Sequence, residues 1–90
     1  MISREDKKRI VELSQDVRSC CRFLGIKETD LYKILKEKIP NLTDNQKSFT
    51  TMFRNQPATF LKVPYFMDTL EILLNDYKRN ICKELKIKES

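Results

Sequence analysis

From Thr43 to Asn55 the sequence reads Thr-Asp-Asn-Gln-Lys-Ser-Phe-Thr-Thr-Met-Phe-Arg-Asn. Phe49, Met52 and Phe53 mark the inward side of a helix running from Asp44 to about Arg54. Thr43, with Gln46 three residues on, has the form of a capping box for its start. The outward side is then Asn45, Gln46, Lys47, Ser48, Thr50, Thr51 and Arg54, closed by Asn55. Asn and Gln match an adenine edge with two hydrogen bonds, and Arg and Lys match guanine. Thr offers a methyl to thymine and a hydroxyl to phosphate. Ser, Asn and Thr are poor helix formers. Their use where Glu and Lys are commoner suits a surface that reads base edges.

Other chemistries are thinned out by composition. The 90 residues contain no His. That removes Ser-His and Cys-His dyads and imidazole ligands for zinc or haem. The single glycine, Gly25, excludes the Gly-rich phosphate loops. Cys20, Cys21 and Cys82 contain no CxxC pair and no regular disulfide framework, so they read as small apolar helix residues in a reducing compartment. No acid-base pair or nucleophile stands out, and the expectation is a non-catalytic protein with no metal and no cofactor. The charged start Ser3-Arg4-Glu5-Asp6-Lys7-Lys8-Arg9 lacks the apolar stretch of a signal peptide. No apolar run approaches the ~20 residues that cross a bilayer. A cytoplasmic protein without membrane association is expected.

The elements that must position this helix follow from periodicity, and the fold class expected is all-α. It would be a compact domain of four helices, up to five, with long first and last helices. Residues 1–90 form one domain with its core over about residues 10–77. The first helix spans about Ser3 to Leu24, with Ser3 and Asp6 as an approximate capping box. Ile10, Leu13, Val17, Cys20, Cys21 and Leu24 line its buried face, and Gly25 is its left-handed stop. The second spans about Asp30 to Ile39, capped by Thr29 and stopped by Pro40. After the third comes a connection, Asn55 to Lys62. The fourth starts near Pro64 and carries an apolar stripe for about six turns. Leu70, Leu74, Tyr77, Ile81 and Leu85 in that stripe are the expected dimer interface.

The net charge is +5, from 18 basic and 13 acidic residues. Basic groups gather at the N-terminus and again at Lys78, Arg79, Lys83, Lys86 and Lys88, whereas Asp68, Glu71 and Asp76 make the start of the fourth helix acidic. Such an excess fits weak steering toward a polyanion. Arg4, Lys7, Lys8 and Lys62 are candidate phosphate contacts.

The stretch Leu31 to Leu74 resembles the helix-turn-helix region of the lambda-repressor-like, or Cro/C1-type, family. Gln46 opens the helix, apolar residues recur at Phe49, Met52 and Phe53, and a polar pair ends it. The resemblance implies that this is a recognition helix, with Gln46, Lys47 and Thr50 near bases and Thr43 and Asn55 near phosphates. It implies that the preceding helix packs across it. Two features differ from the family: the turn Pro40-Asn41-Leu42-Thr43 is longer and lacks glycine, and Tyr32 stands where a small Ala is usual. Both predict an altered crossing of the two helices. The function expected is that of a small sequence-specific binder of double-stranded DNA. It would be a bacterial, phage or plasmid transcriptional regulator acting as a homodimer on an operator. The alternative is a non-catalytic helical protein-protein interaction module, an inhibitor or adaptor encoded by a phage or plasmid.

Overall fold

A computed structural model describes residues 3–89, with side chains as far as residue 85. The chain is all-α. In order it forms α1 (Arg4–Leu24), α2 (Glu28–Lys38), α3 (Gln46–Asn55), a 3-10 helix (Pro57–Lys62) and α4 (Phe66–Glu89). Lys86 and Lys88 of the basic C-terminal cluster lie outside the described side chains.

α1 follows its sequence signals. The Ser3 Oγ accepts the Asp6 N–H at 3.0 Å, and Gly25 ends the helix at φ 74° with its N–H on the Cys21 carbonyl. Ile10, Leu13, Val17, Cys20 and Cys21 are buried. α4 packs along α1 in the same chain sense. Arg9 pairs with Glu71 early in both helices. Cys20 and Cys21 lie beside Lys78 and Tyr77 further along, close enough to influence their ionisation.

This packing corrects the expected dimer stripe. Leu70, Leu74 and Tyr77 are buried within the single chain, against α1. Of the expected interface, Ile81 is half-buried at the edge of the core, and Leu85 is exposed. A stripe of threes and fours specifies that a face is covered, not which molecule covers it. Tyr77 goes in with its hydroxyl lacking a hydrogen-bond partner among the described residues. Burial, then the neighbouring Cys21 thiol, raises its ionisation well above the usual phenol range.

The other helix starts shift. α2 begins at Glu28, so Thr29 lies inside its first turn rather than capping it. The cap position is Lys27, whose side chain makes no capping bond. α4 begins at Phe66, two residues after Pro64. Tyr65 between them adopts φ 66°, the left-handed region usually taken by glycine. That reversal lays the Phe66 ring on Phe60 with centroids 4.6 Å apart. The expected connection over Asn55 to Lys62 contains the 3-10 helix, which buries Pro57 and Phe60. Phe60 and Phe66 join Phe49, Phe53 and Tyr32 in one aromatic cluster with centroid separations of 4.6–6.3 Å. The cluster ties α2, α3, the 3-10 helix and α4 together.

Two substitutions test this account. A Cβ on Gly25 would meet nothing within 4 Å. Gly25→Ala therefore isolates the backbone cost of a left-handed residue, about 1 kcal/mol. Thermal unfolding is expected about 4–8 °C lower. Tyr77→Phe removes a buried hydroxyl whose polar neighbour is the Cys21 thiol, a weak partner, and is expected to change stability by no more than about 1 kcal/mol in urea titration. A loss of about 2 kcal/mol would mean that the hydroxyl makes a strong hydrogen bond.

Candidate nucleic-acid interface

Seven residues separate α2 from α3, and they are held in place by two side chains of α2. The Tyr32 hydroxyl donates to the Thr43 carbonyl at 2.6 Å. Lys36, one helical turn further on, donates from Nζ to the Pro40 carbonyl at 2.9 Å and the Leu42 carbonyl at 2.5 Å. The same Nζ pairs with the Asp44 carboxylate at 2.8 Å. Ile39 and Leu42 turn inward and are buried, and the Leu42 N–H returns to the Ile39 carbonyl. The long turn is therefore an ordered, packed element. Tyr32 is not a steric intrusion between helices. Its ring lies 5.2 Å from that of Phe49, and its hydroxyl supports the turn.

The clamp also moves the start of α3. Thr43 and Asp44 stay in the turn, and Asn45 takes the cap position, with its Oδ1 accepting the Ser48 N–H at 3.1 Å. The expected Thr43–Gln46 capping box is absent. The Thr43 hydroxyl instead accepts the Asn45 N–H at 3.3 Å. The hydrogen bond and charge of Lys36 hold the Asp44 carboxyl below its ordinary range. With a lowered folded-state value, the pair contributes fully above the usual carboxylate pKa of about 3.9 and is lost as pH falls through the folded value. Asp44 is fully solvated, so the effect is local to the turn.

α3 then presents its residues on three sides. Phe49 and Phe53 are buried. Gln46, Lys47, Thr50 and Thr51 line a groove of about 470 Å³ with Glu28 and Thr29 of α2. Lys47, Ser48 and Thr51, together with half-buried Met52, line an adjoining hollow. No acid occurs in α3, and Arg54 and Asn55 are exposed at its end. Arg54 is engaged: it donates to the Glu28 carboxylate at 2.8 Å. That ion pair offsets the one acid in the groove.

The expected site residues are thus only partly assembled. Gln46, Lys47, Ser48, Thr50 and Thr51 share one continuous surface. Thr43 and Asn45 are occupied by the turn and the helix cap. Arg4, Lys7 and Lys8 on α1 and Lys62 on the 3-10 helix are exposed but line neither hollow. Glu28 and Thr29 are additions. With α2 starting at Glu28, Thr29 lies in its first turn and borders the groove rather than capping the helix. Among the described residues, no cluster of ligands suited to a metal ion occurs.

No family model, no curated protein and no solved structure matches this chain.

The clamp has a measurable consequence. Lys36→Met keeps the apolar stem but removes three contacts to the turn. Amide exchange over residues 41–46 is expected to accelerate at least tenfold, since about 1.4 kcal/mol of local stability suffices for that factor. α1 and α4 amides should be unaffected. Equal acceleration across the whole chain would mean that Lys36 supports the core, not the turn.

Proposed function

We propose that this chain is a small sequence-specific binder of double-stranded DNA, of the kind that regulates transcription, acting without cofactor or catalysis. The observation that carries the proposal is the acid-free outward surface of α3. Gln46, Lys47, Thr50 and Thr51 stand side by side along the groove next to α2, on a helix fixed at its N-terminal end by the Tyr32–Lys36 clamp. A helix held in this way can enter the major groove with its first turns facing base edges. Gln46 suits adenine, Lys47 guanine, and the Thr methyls thymine. Glu28, steadied by Arg54, is an acceptor suited to the cytosine amino group. Reading a two-fold operator requires a second copy. With Leu70, Leu74 and Tyr77 consumed by the monomer core, half-buried Ile81 and exposed Leu85 are what remains of that stripe for the contact, and Ile72 is a further exposed apolar residue of α4.

The alternative of a protein-binding module is favoured by one observation. Tyr65 is 78% exposed and holds a left-handed backbone, and among the described residues its ring stacks on no other aromatic.

Fluorescence-polarisation titration of promoter fragments at two salt concentrations separates the two. DNA binding is expected to weaken linearly in log affinity against log salt. Gln46→Ala is expected to reduce the preference for the best fragment over random duplex by about 5–100-fold, with random-duplex affinity nearly unchanged. An absence of binding at low salt would sink the proposal. Tyr65→Ala leaves DNA affinity unchanged if only the α3 surface is engaged.

A further inference from the structure

The cations of α1 are sorted by flank. On the side toward α4 lie Arg9, Glu12 and Asp16, which line a cleft with Glu71, Asn75 and Lys78. The opposite side carries Arg4, Lys7, Lys8, Arg18 and Arg22, interrupted only by Val11 and Gln15. At 100° per residue these seven fall within an arc of about 100°. No acid lies within it, and among the described residues none of the five cations forms an ion pair. From Arg4 to Arg22 the row is about 27 Å long at 1.5 Å per residue.

The row leads to the groove beside α3. Arg18 lines a small crevice with Glu28 and Thr50. Arg18 and Arg22 line a wider hollow with Lys27, Glu28 and Thr29. Glu28 and Thr29 in turn border Gln46, Lys47, Thr50 and Thr51. One unbroken surface thus passes from the α1 row, over the start of α2, to the polar face of α3.

We infer that the α1 row, Arg4, Lys7, Lys8, Arg18 and Arg22, is a second nucleic-acid contact: a track for the phosphate backbone of a duplex whose groove is engaged by α3. The inference rests on the DNA-binding reading above and adds a surface to it. A duplex carries one negative charge per about 1.7 Å of axis. A row of cations about 27 Å long therefore spans many phosphates, close to one helical turn of about 34 Å. Val11 is the one apolar residue in the row, too little for insertion into a lipid surface, which needs a broad apolar face. Cations that follow the phosphate backbone rather than enter a groove add affinity without sequence preference.

The test compares two triple variants of equal charge change on a mixed-sequence duplex of about three helical turns. One is Lys7→Gln/Arg18→Gln/Arg22→Gln on the track. The other is Lys78→Gln/Arg79→Gln/Lys83→Gln on α4. Circular dichroism confirms that each is folded. Each lost phosphate contact removes about 0.9 from the slope of log affinity against log salt. The track variant is expected to lose about 2.7 from that slope. Between 50 and 200 mM salt its affinity then falls about 40-fold less than that of the wild type. The α4 variant should keep the wild-type slope. Equal slopes for the wild type and the track variant, with DNA still bound, would overturn the track while leaving the α3 reading intact. Equal reductions in both variants would reduce the track to net charge and also overturn it. No DNA binding by the wild type, with capture by phosphatidylserine vesicles that the track variant loses, would overturn both readings.

Discussion

The arrangement of this domain depends on how α2 holds the turn that follows it. Tyr32 and Lys36 stand one helical turn apart on the same side of α2, and between them they engage the Thr43, Pro40 and Leu42 carbonyls and the Asp44 carboxylate. A connection without glycine must satisfy its carbonyls somewhere when its apolar residues fold inward. Here Ile39 and Leu42 supply the burial, and the two α2 side chains supply the donors. The start of α3 follows from this. With Thr43 and Asp44 drawn back toward α2, Asn45 is the first residue able to cap the helix. The four polar residues behind it then line up beside Glu28 and Thr29.

Around that clamp the small core is divided between two kinds of packing. α1 and α4 bury aliphatic side chains and two cysteines against each other along most of α1. The aromatic cluster of Tyr32, Phe49, Phe53, Phe60 and Phe66 fastens the shorter elements at the other side. Offset and edge-on ring contacts favour particular orientations more than aliphatic contacts do. They therefore suit the place where a short helix of only ten residues must be held at a fixed angle. The left-handed backbone at Tyr65 belongs to the same logic. It reverses the chain between the 3-10 helix and α4 and sets Phe66 on Phe60.

Charge follows the same division. α1 meets α4 along a flank of mixed sign, where Arg9 and Glu71 pair, and leaves five cations on the flank that continues toward α3. Spacing alone contained this sorting, since Arg4, Lys7, Lys8, Arg18 and Arg22 recur at helical intervals. Which flank faced α3 was not contained in it. That depends on the side from which α2 and α4 approach α1, a matter of tertiary packing.

The helices, the burial pattern and the ends marked by local chemistry are readable from short stretches of residues. Gly25 stops α1 because a left-handed residue needs no Cβ, Ser3 caps it through its own hydroxyl, and Pro40 bars the helix at Ile39. Each of these signals acts over four residues or fewer, so neighbouring letters suffice. The remaining features depend on partners far away in the chain. Thr43 gave way to Asn45 as the cap of α3 because Tyr32, eleven residues earlier, holds the Thr43 carbonyl. Arg54 left the outward face for Glu28, 26 residues away. Leu70, Leu74 and Tyr77 entered the monomer because α1 covers them. In each case a side chain with two locally acceptable partners was claimed by one distant in sequence, and only the packed chain brings that partner within reach.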